Sequence, residues 1–197
     1  ALGFSRQYLA VDLEFACKAA TAGIQIIYAL VSSGKIESGL VIGADCAQAK
    51  PHDVLEYTAG AGSAAFLLGE RNTLVNILDF TSYSSDTPDF WRREGIRYPS
   101  HGGRFTGSPA YYEHIMGAAN QLLVKTKTSP KDFNYVVFHS PNGKFPKSVA
   151  SKLGFSQEQL DPGFIVDKIG NPYSASSLLS LTAVLEIAKP GQKIFMV

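Results

Sequence analysis

Three residues capable of acyl-transfer chemistry stand in this chain where local structure could activate them. Cys17 opens a long helical pattern, "CKAATAGIQIIYALV". A thiolate there would meet unpaired amide groups and the positive end of the helix dipole, which lower its pKa and make it a nucleophile. The competing reading is packing, because free cysteine is among the most buried residue types. His139 ends the apolar run of "FNYVVFHSPNGK", so a buried strand delivers its imidazole to the edge where open α/β sheets place their sites. Taken alone it reads more readily as an ordinary loop histidine than as a catalyst. Asn171, in "IGNPYSASSLLSL", suits a helix N-cap with Pro172 at the first helical position. An amide held at a helix start can also donate to a carbonyl oxygen that becomes negative. Together the three supply what a Claisen-type acyl transfer on a thioester needs, a nucleophile and polarising donors.

Other chemistries find less support. His52, His101, His114 and His139 are scattered with no ligand spacing, so no metal site is expected. "GAGSAAF" holds a GxG but runs into a strand-like stretch, which is no nucleotide-binding fingerprint. Cys46, beside Asp45 at a strand end, is expected to be structural. Lys144 and Lys147 could meet phosphate groups or simply form a solvated face.

The elements that must position these residues read as a layered α/β protein. Helical spacing runs from Cys17 to Ser33 and Gly34 is placed to stop it. "SGLVIGADC" then supplies a short strand, Leu40 to Ile42, of the kind covered on both faces. "SAAFLLGE" and "TLVNILDFTSYS" are two further strand candidates. Residues 84–109 hold neither period and are dense in Gly, Pro, Ser and aromatics, as in a long ordered loop that carries function. Helices are expected in "AYYEHIMGAANQLLVKTK", "KSVASKLG" and "SASSLLSLTAVLEIA", and strands in "FNYVVFH" and the closing "KIFMV". "ALVSSGKIESGLVIG" and "LEIAKPGQKIFMV" share the order helix, lysine and glycine turn, apolar strand, which suggests an internal duplication. A chain ending inside a core strand is expected to be part of a longer fold.

The 197 residues, 45% hydrophobic and 18% charged, can bury a sizeable core. A net charge of +1 gives no overall field toward nucleic acid or an anionic membrane, and neither is expected as a partner. Two cysteines without a CxxC pair point to a reducing, cytoplasmic setting. The first residues lack the pattern of a secretory signal.

"DLEFACKAATAGIQ", "FHSPNGKFPKS" and "GNPYSASSLLSL", in this order, resemble the nucleophile, histidine and asparagine segments of the thiolase superfamily, most closely the archaeal-type hydroxymethylglutaryl-CoA synthases. "TPDFWRREGIRYPSHGGRFTGSPAYYEHI" is similar to the substrate-side loop of the archaeal members. The resemblance implies a thiolase-like αβαβα fold of two duplicated halves, residues 1–78 and 79–197, incomplete at both ends. It implies that Cys17 takes an acetyl group from acetyl-CoA, that His139 and Asn171 orient and polarise the keto carbonyl of acetoacetyl-CoA, and that water releases hydroxymethylglutaryl-CoA for isoprenoid synthesis. It places Lys144 near CoA and Tyr173 and Ser174 near the acyl pocket, with coenzyme A thioesters as substrates and no cofactor. A homodimer is implied, as is a complex with an acetoacetyl-CoA thiolase and a zinc-ribbon/OB-fold protein. The family's general acid/base glutamate lies upstream of Ala1, so these residues alone are expected to fail at carbon–carbon bond formation. Ketoacyl-ACP synthase III enzymes share the Cys, His and Asn and form the rival enzyme reading. A non-catalytic acyl-CoA-binding subunit is the other alternative.

Overall fold

In a computed structural model, which describes residues 3 and 5–197, the first helix, α1 (Ala19–Ser32), follows a 3-10 turn at Ala16–Lys18. It ends as expected at Gly34, whose φ of +68° lets the Gly34 and Lys35 amides reach back to the Val31 and Leu30 carbonyls. β1 (Ser38–Cys46) and β2 (Ala61–Gly69) pair antiparallel, with Val41 opposite Phe66 and Gly43 opposite Ala64.

The first strand differs from expectation. It is longer than Leu40–Ile42, and its residues alternate, Val41 and Gly43 buried while Leu40 and Ile42 face outward. Period-two alternation belongs to a sheet covered on one face only. Among the described residues nothing covers the outer face, where Ile42 is 56% and Leu67 is 74% exposed. Cys46 lies exposed at the end of β1, so it does not pack as a structural thiol.

Residues 73–84 also depart from expectation, forming no strand. They run as a strap between α1 and the later helix α2 (Tyr112–Thr126). Phe80 packs edge-on to Tyr28 of α1, the Thr81 hydroxyl donates to the Ala118 carbonyl, and Tyr83 donates to Glu113. Among the described residues no strand lies beside them to pair with, and side-chain contacts hold them in place of a ladder. The long loop carries a two-residue hairpin, β3 (Phe90–Trp91) with β4 (Ser100–His101).

The second sheet pairs β5 (Tyr135–Val137) in parallel with β6 (Ile194–Met196). Between them come α3 (Phe145–Leu153), the single turns α4 (Gln157–Leu160) and α5 (Val166–Ile169), and α6 (Ser176–Leu185). Alternation along these strands decides the layering. Val136, Phe138 and Phe195 join Ala119 of α2 with Val149 and Ala150 of α3 in one core cluster. Met196, on the opposite face, packs against a second cluster in which Leu178 of α6 meets Ala20 of α1 and Val41 of β1. The order is therefore sheet, helices α1 and α6, sheet, helices α2 and α3. Each fully buried side chain of the Phe138 or Leu178 kind contributes about 2 kcal/mol.

Candidate active site

The two long inner helices begin alike. Ala16 and Tyr173 each have φ of +41°, each opens a 3-10 turn, and each turn leads directly into an α-helix, α1 or α6. A positive φ at a non-glycine residue is costly, and it persists where the surrounding structure fixes it and the site uses it. The fixing contact is Gly43. A Cβ at this position would stand 2.7 Å from the Ser174 carbonyl oxygen and 3.0 Å from the Ala20 Cβ, so only glycine lets the β1 backbone seat both helix starts together.

Cys17 lies in the first of these turns and Asn171 just before the second. Asn171 is buried, and its Oδ1 accepts the Tyr173 N–H at 3.0 Å. Its main chain is held from both sides, the N–H donating to the Thr58 carbonyl and the carbonyl accepting from Gly60. The same side chain stands beside the Cys17 thiol, where its polar group favours the thiolate. Asn171 lies outside the N-cap position expected for it, which Pro172 occupies, because the helix opens with a 3-10 turn at Tyr173; its carboxamide oxygen still accepts from the first amide of that turn.

His139 sits two residues beyond β5. Its N–H donates to the Val197 carbonyl at 2.8 Å, and its own carbonyl accepts the Tyr111 hydroxyl at 2.7 Å. With the main chain so held, the imidazole Nδ1 is buried with no partner. Burial lowers the His139 pKa to about 4, so the ring is neutral and can accept a proton.

The expected depressed thiol is not found. Burial pushes Cys17 up to about 12, the Asn171 hydrogen bond opposes this, and the charge of Asp45 adds to it. Cys17 is half-buried and lines the cleft, but its dense surroundings disfavour a thiolate more than the helix start favours one. The resting pair is a neutral thiol and a neutral imidazole. Attack by the sulfur therefore requires its proton to leave first.

Cys17, His139, Asn171 and Tyr173 line one open trough of about 2710 Å³, which is larger than a closed small-ligand pocket of roughly 300–1,000 Å³. Tyr173 is buried, and its hydroxyl donates to the Gln48 carbonyl at 3.4 Å. Ser174 reaches the Ala44 carbonyl at 3.5 Å. Lys144 is exposed at the head of α3, where the Asn142 side chain accepts its N–H, and it does not line the trough. Sequence patterns did not single out Tyr111, Phe90, Asp45 or Asp89. The first two act through contacts between distant segments, and the two aspartates through proximity to the thiol. No group of three or more metal-ligating side chains occurs among the described residues.

Comparisons with known proteins bear on the sequence and the fold. Two sequence-family models match, 3-oxoacyl-[acyl-carrier-protein] synthase III over residues 11–86 and the C-terminal region of the same synthase over residues 123–197. A hydroxymethylglutaryl-CoA synthase of Methanosphaera stadtmanae is 56% identical over 197 residues, covering 100% of this chain and 57% of that protein. The chain spans little more than half the length of such relatives. A solved hydroxymethylglutaryl-CoA synthase complexed with CoA superposes with a TM-score of 0.82 at 25% identity, over 95% of this chain and 51% of that one. The 3-oxoacyl-[acyl-carrier-protein] synthase III of Aquifex aeolicus reaches a TM-score of 0.84 at 22% identity, over 97% of this chain and 63% of that one, and shares the fold. With a thiol, an imidazole and an amide on one trough of a thiolase-like α/β fold, and with this identity along its whole length, the chain belongs to the hydroxymethylglutaryl-CoA synthase family of the thiolase superfamily.

Proposed function

We propose that this site forms an acetyl-cysteine on Cys17 and condenses it with acetoacetyl-CoA to give hydroxymethylglutaryl-CoA. The observation that carries the reading is the carboxamide of Asn171, fixed at Tyr173 and standing beside the Cys17 thiol on the trough that His139 shares. In the first step the sulfur bonds to the acetyl carbonyl carbon as its proton passes to His139. The C–S bond to CoA then breaks, and the proton leaves with the CoA sulfur. In the second step the acetyl methyl, as its enolate, bonds to the keto carbon of acetoacetyl-CoA. That carbonyl oxygen, polarised by hydrogen bonds from the site, takes up the proton that a carboxylate removed from the acetyl methyl, so the addition is neutral overall. Water then hydrolyses the cysteine thioester. The carboxylate that removes the methyl proton is the glutamate which the family resemblance places upstream of Ala1.

Coenzyme A thioesters are the substrates in this reading, with no separate cofactor. The reading carries with it two duplicated thiolase-like halves that meet near residues 78 and 79, a homodimer of such chains, a cytoplasmic setting, and association with a thiolase and a zinc-ribbon/OB-fold protein. Among the described residues no helix is long and apolar enough to cross a membrane.

The test is the mass of the protein after incubation with acetyl-CoA, alone and then with acetoacetyl-CoA, in a form carrying the full length of the relatives. The expected result is one acetyl group on the peptide containing Cys17, lost again as hydroxymethylglutaryl-CoA appears. Undiminished acetyl transfer by Cys17→Ala would overturn it. Decarboxylation of malonyl-ACP with no product from acetoacetyl-CoA would favour the ketoacyl-ACP synthase III reading.

A further inference from the structure

The loop 84–109 supplies none of the three reacting groups, yet it is tied down at several points. Phe90 pairs with His101 across the β3–β4 hairpin. The Asp89 carbonyl accepts the Gly102 N–H at 2.7 Å and the Thr106 hydroxyl at 2.9 Å, while that hydroxyl oxygen also accepts from Gly102. A hairpin with a two-residue ladder is too short to hold its shape unaided, and His101 anchors it elsewhere. Its Nε2 lies 3.2 Å from Asp53 Oδ1, in a segment 48 residues away, and its Nδ1 accepts the Gly103 N–H at 3.0 Å. Since Nδ1 is an acceptor, the ring proton is on Nε2, and the contact is a hydrogen bond donated to Asp53 by a neutral ring. Asp53 is itself fixed, its Oδ1 also accepting from the Leu55 N–H.

What this anchor positions is Phe90. Its ring meets Tyr173 edge-on at 5.7 Å, and both side chains line the trough with Cys17. Tyr173 is only 8% exposed, with its N–H on Asn171 and its hydroxyl on Gln48, so it cannot yield to a displaced Phe90. Asp89, one residue earlier, is close enough for its charge to act on the Cys17 thiol. An aromatic side chain with a rigid neighbour behind it and a pinned backbone beneath it is a fixed wall.

We propose that the β3–β4 hairpin, pinned by the His101–Asp53 hydrogen bond, is the wall that limits the size of the group Cys17 can accept, with Phe90 as the specificity-determining side chain. Short acyl groups fit between Phe90 and the thiol, and longer chains do not. The proposal rests on reading Cys17 as the acyl-accepting thiol, and its test keeps the two apart.

The full chain carrying Cys46→Ser, so that one thiol remains, is alkylated with iodoacetamide and with N-benzyl iodoacetamide. Intact mass gives the ratio of the two rates. Phe90→Ala should raise the bulky-to-small ratio by roughly tenfold or more, as expected for a removed steric barrier, and His101→Ala should raise it in the same direction. His101→Gln, which can still donate to Asp53, and Asp53→Asn, whose amide oxygen still accepts, should stay near the parent ratio. An unchanged ratio in Phe90→Ala overturns the wall, and Asp53→Asn behaving like His101→Ala overturns the neutral pin. If the alanine variant fails to fold by circular dichroism, Phe90→Leu must move the ratio in the same direction or the wall is rejected. Acetyl-CoA and hexanoyl-CoA form a separate arm. A parent protein that takes up neither refutes the acyl-accepting reading, while the alkylation ratio still decides the wall.

Discussion

The Tyr111 hydroxyl donates to the main-chain carbonyl of His139 at 2.7 Å, joining the turn before α2 to the residue that β5 delivers to the trough. Burial raises the Tyr111 pKa, so the phenol keeps its proton and remains a donor. Its ring is tilted against Phe145 at 5.1 Å, which aims the hydroxyl. Tyr111→Phe keeps that packing and removes only the donor. The expected cost is about 1–3 kcal/mol of stability, the penalty of an unpaired buried carbonyl. Acyl transfer should slow more than substrate binding weakens, and urea denaturation with steady-state kcat and KM separates the two effects.

Asn171→Ala removes both ends of the carboxamide. The Cys17 thiol loses the side-chain hydrogen bonding that most lowers its pKa, and the Tyr173 N–H loses its acceptor. Acetylation of Cys17 should fall by roughly 10²–10³-fold, the scale of a lost transition-state donor. Rapid-quench measurement of the acyl-enzyme reads this directly.

Two shifted groups define a pH window for stability. His139 is lowered from 6.5 to about 4, so below 6.5 the unfolded chain binds a proton that the native state refuses, and stability falls toward pH 4. Cys17 is raised from 9.0 to about 12, so above 9 the unfolded chain releases a proton that the native state keeps, and stability falls toward pH 12. These two groups together favour the fold most between about 6.5 and 9. Denaturant midpoints across pH should show both limbs, with His139→Asn flattening the acid one and Cys17→Ala the alkaline one.

Gly43→Ala tests the seating of the two helix starts. The added methyl meets the Ser174 carbonyl oxygen at 2.7 Å, a backbone atom that cannot swing away. Overpacking of this kind costs about 1–3 kcal/mol. The alkylation rate of Cys17 should change as well, because the turns carrying Cys17 and Ser174 are forced apart. Denaturation combined with iodoacetamide kinetics checks both outcomes.

Much of the framework was legible in the residues because it depends on near neighbours. The three- and four-residue spacing of α1, the stop at Gly34, the apolar run of β5 and the helix start at "NPYSASS" are local signals, and they placed Cys17, His139 and Asn171 at element ends before any fold was known. Other features depended on chain segments that local patterns cannot see. Residues 73–84 have a strand's alternation but no partner, so they became a strap on α1 and α2. The pull of a helix start on a thiol is likewise a local expectation, and burial overrode it at Cys17.

The sequence by itself determined which side chains could react and which elements would end on them, since propensity, capping and period act over a few residues. Tertiary structure alone decided that Asn171 serves Tyr173 and Cys17 at once, that Tyr111 holds His139, and that Asp53 anchors a hairpin from 48 residues away. Hydrogen bonds and desolvation arise between atoms that the folded chain brings together, and neither distance nor burial is written in the order of residues.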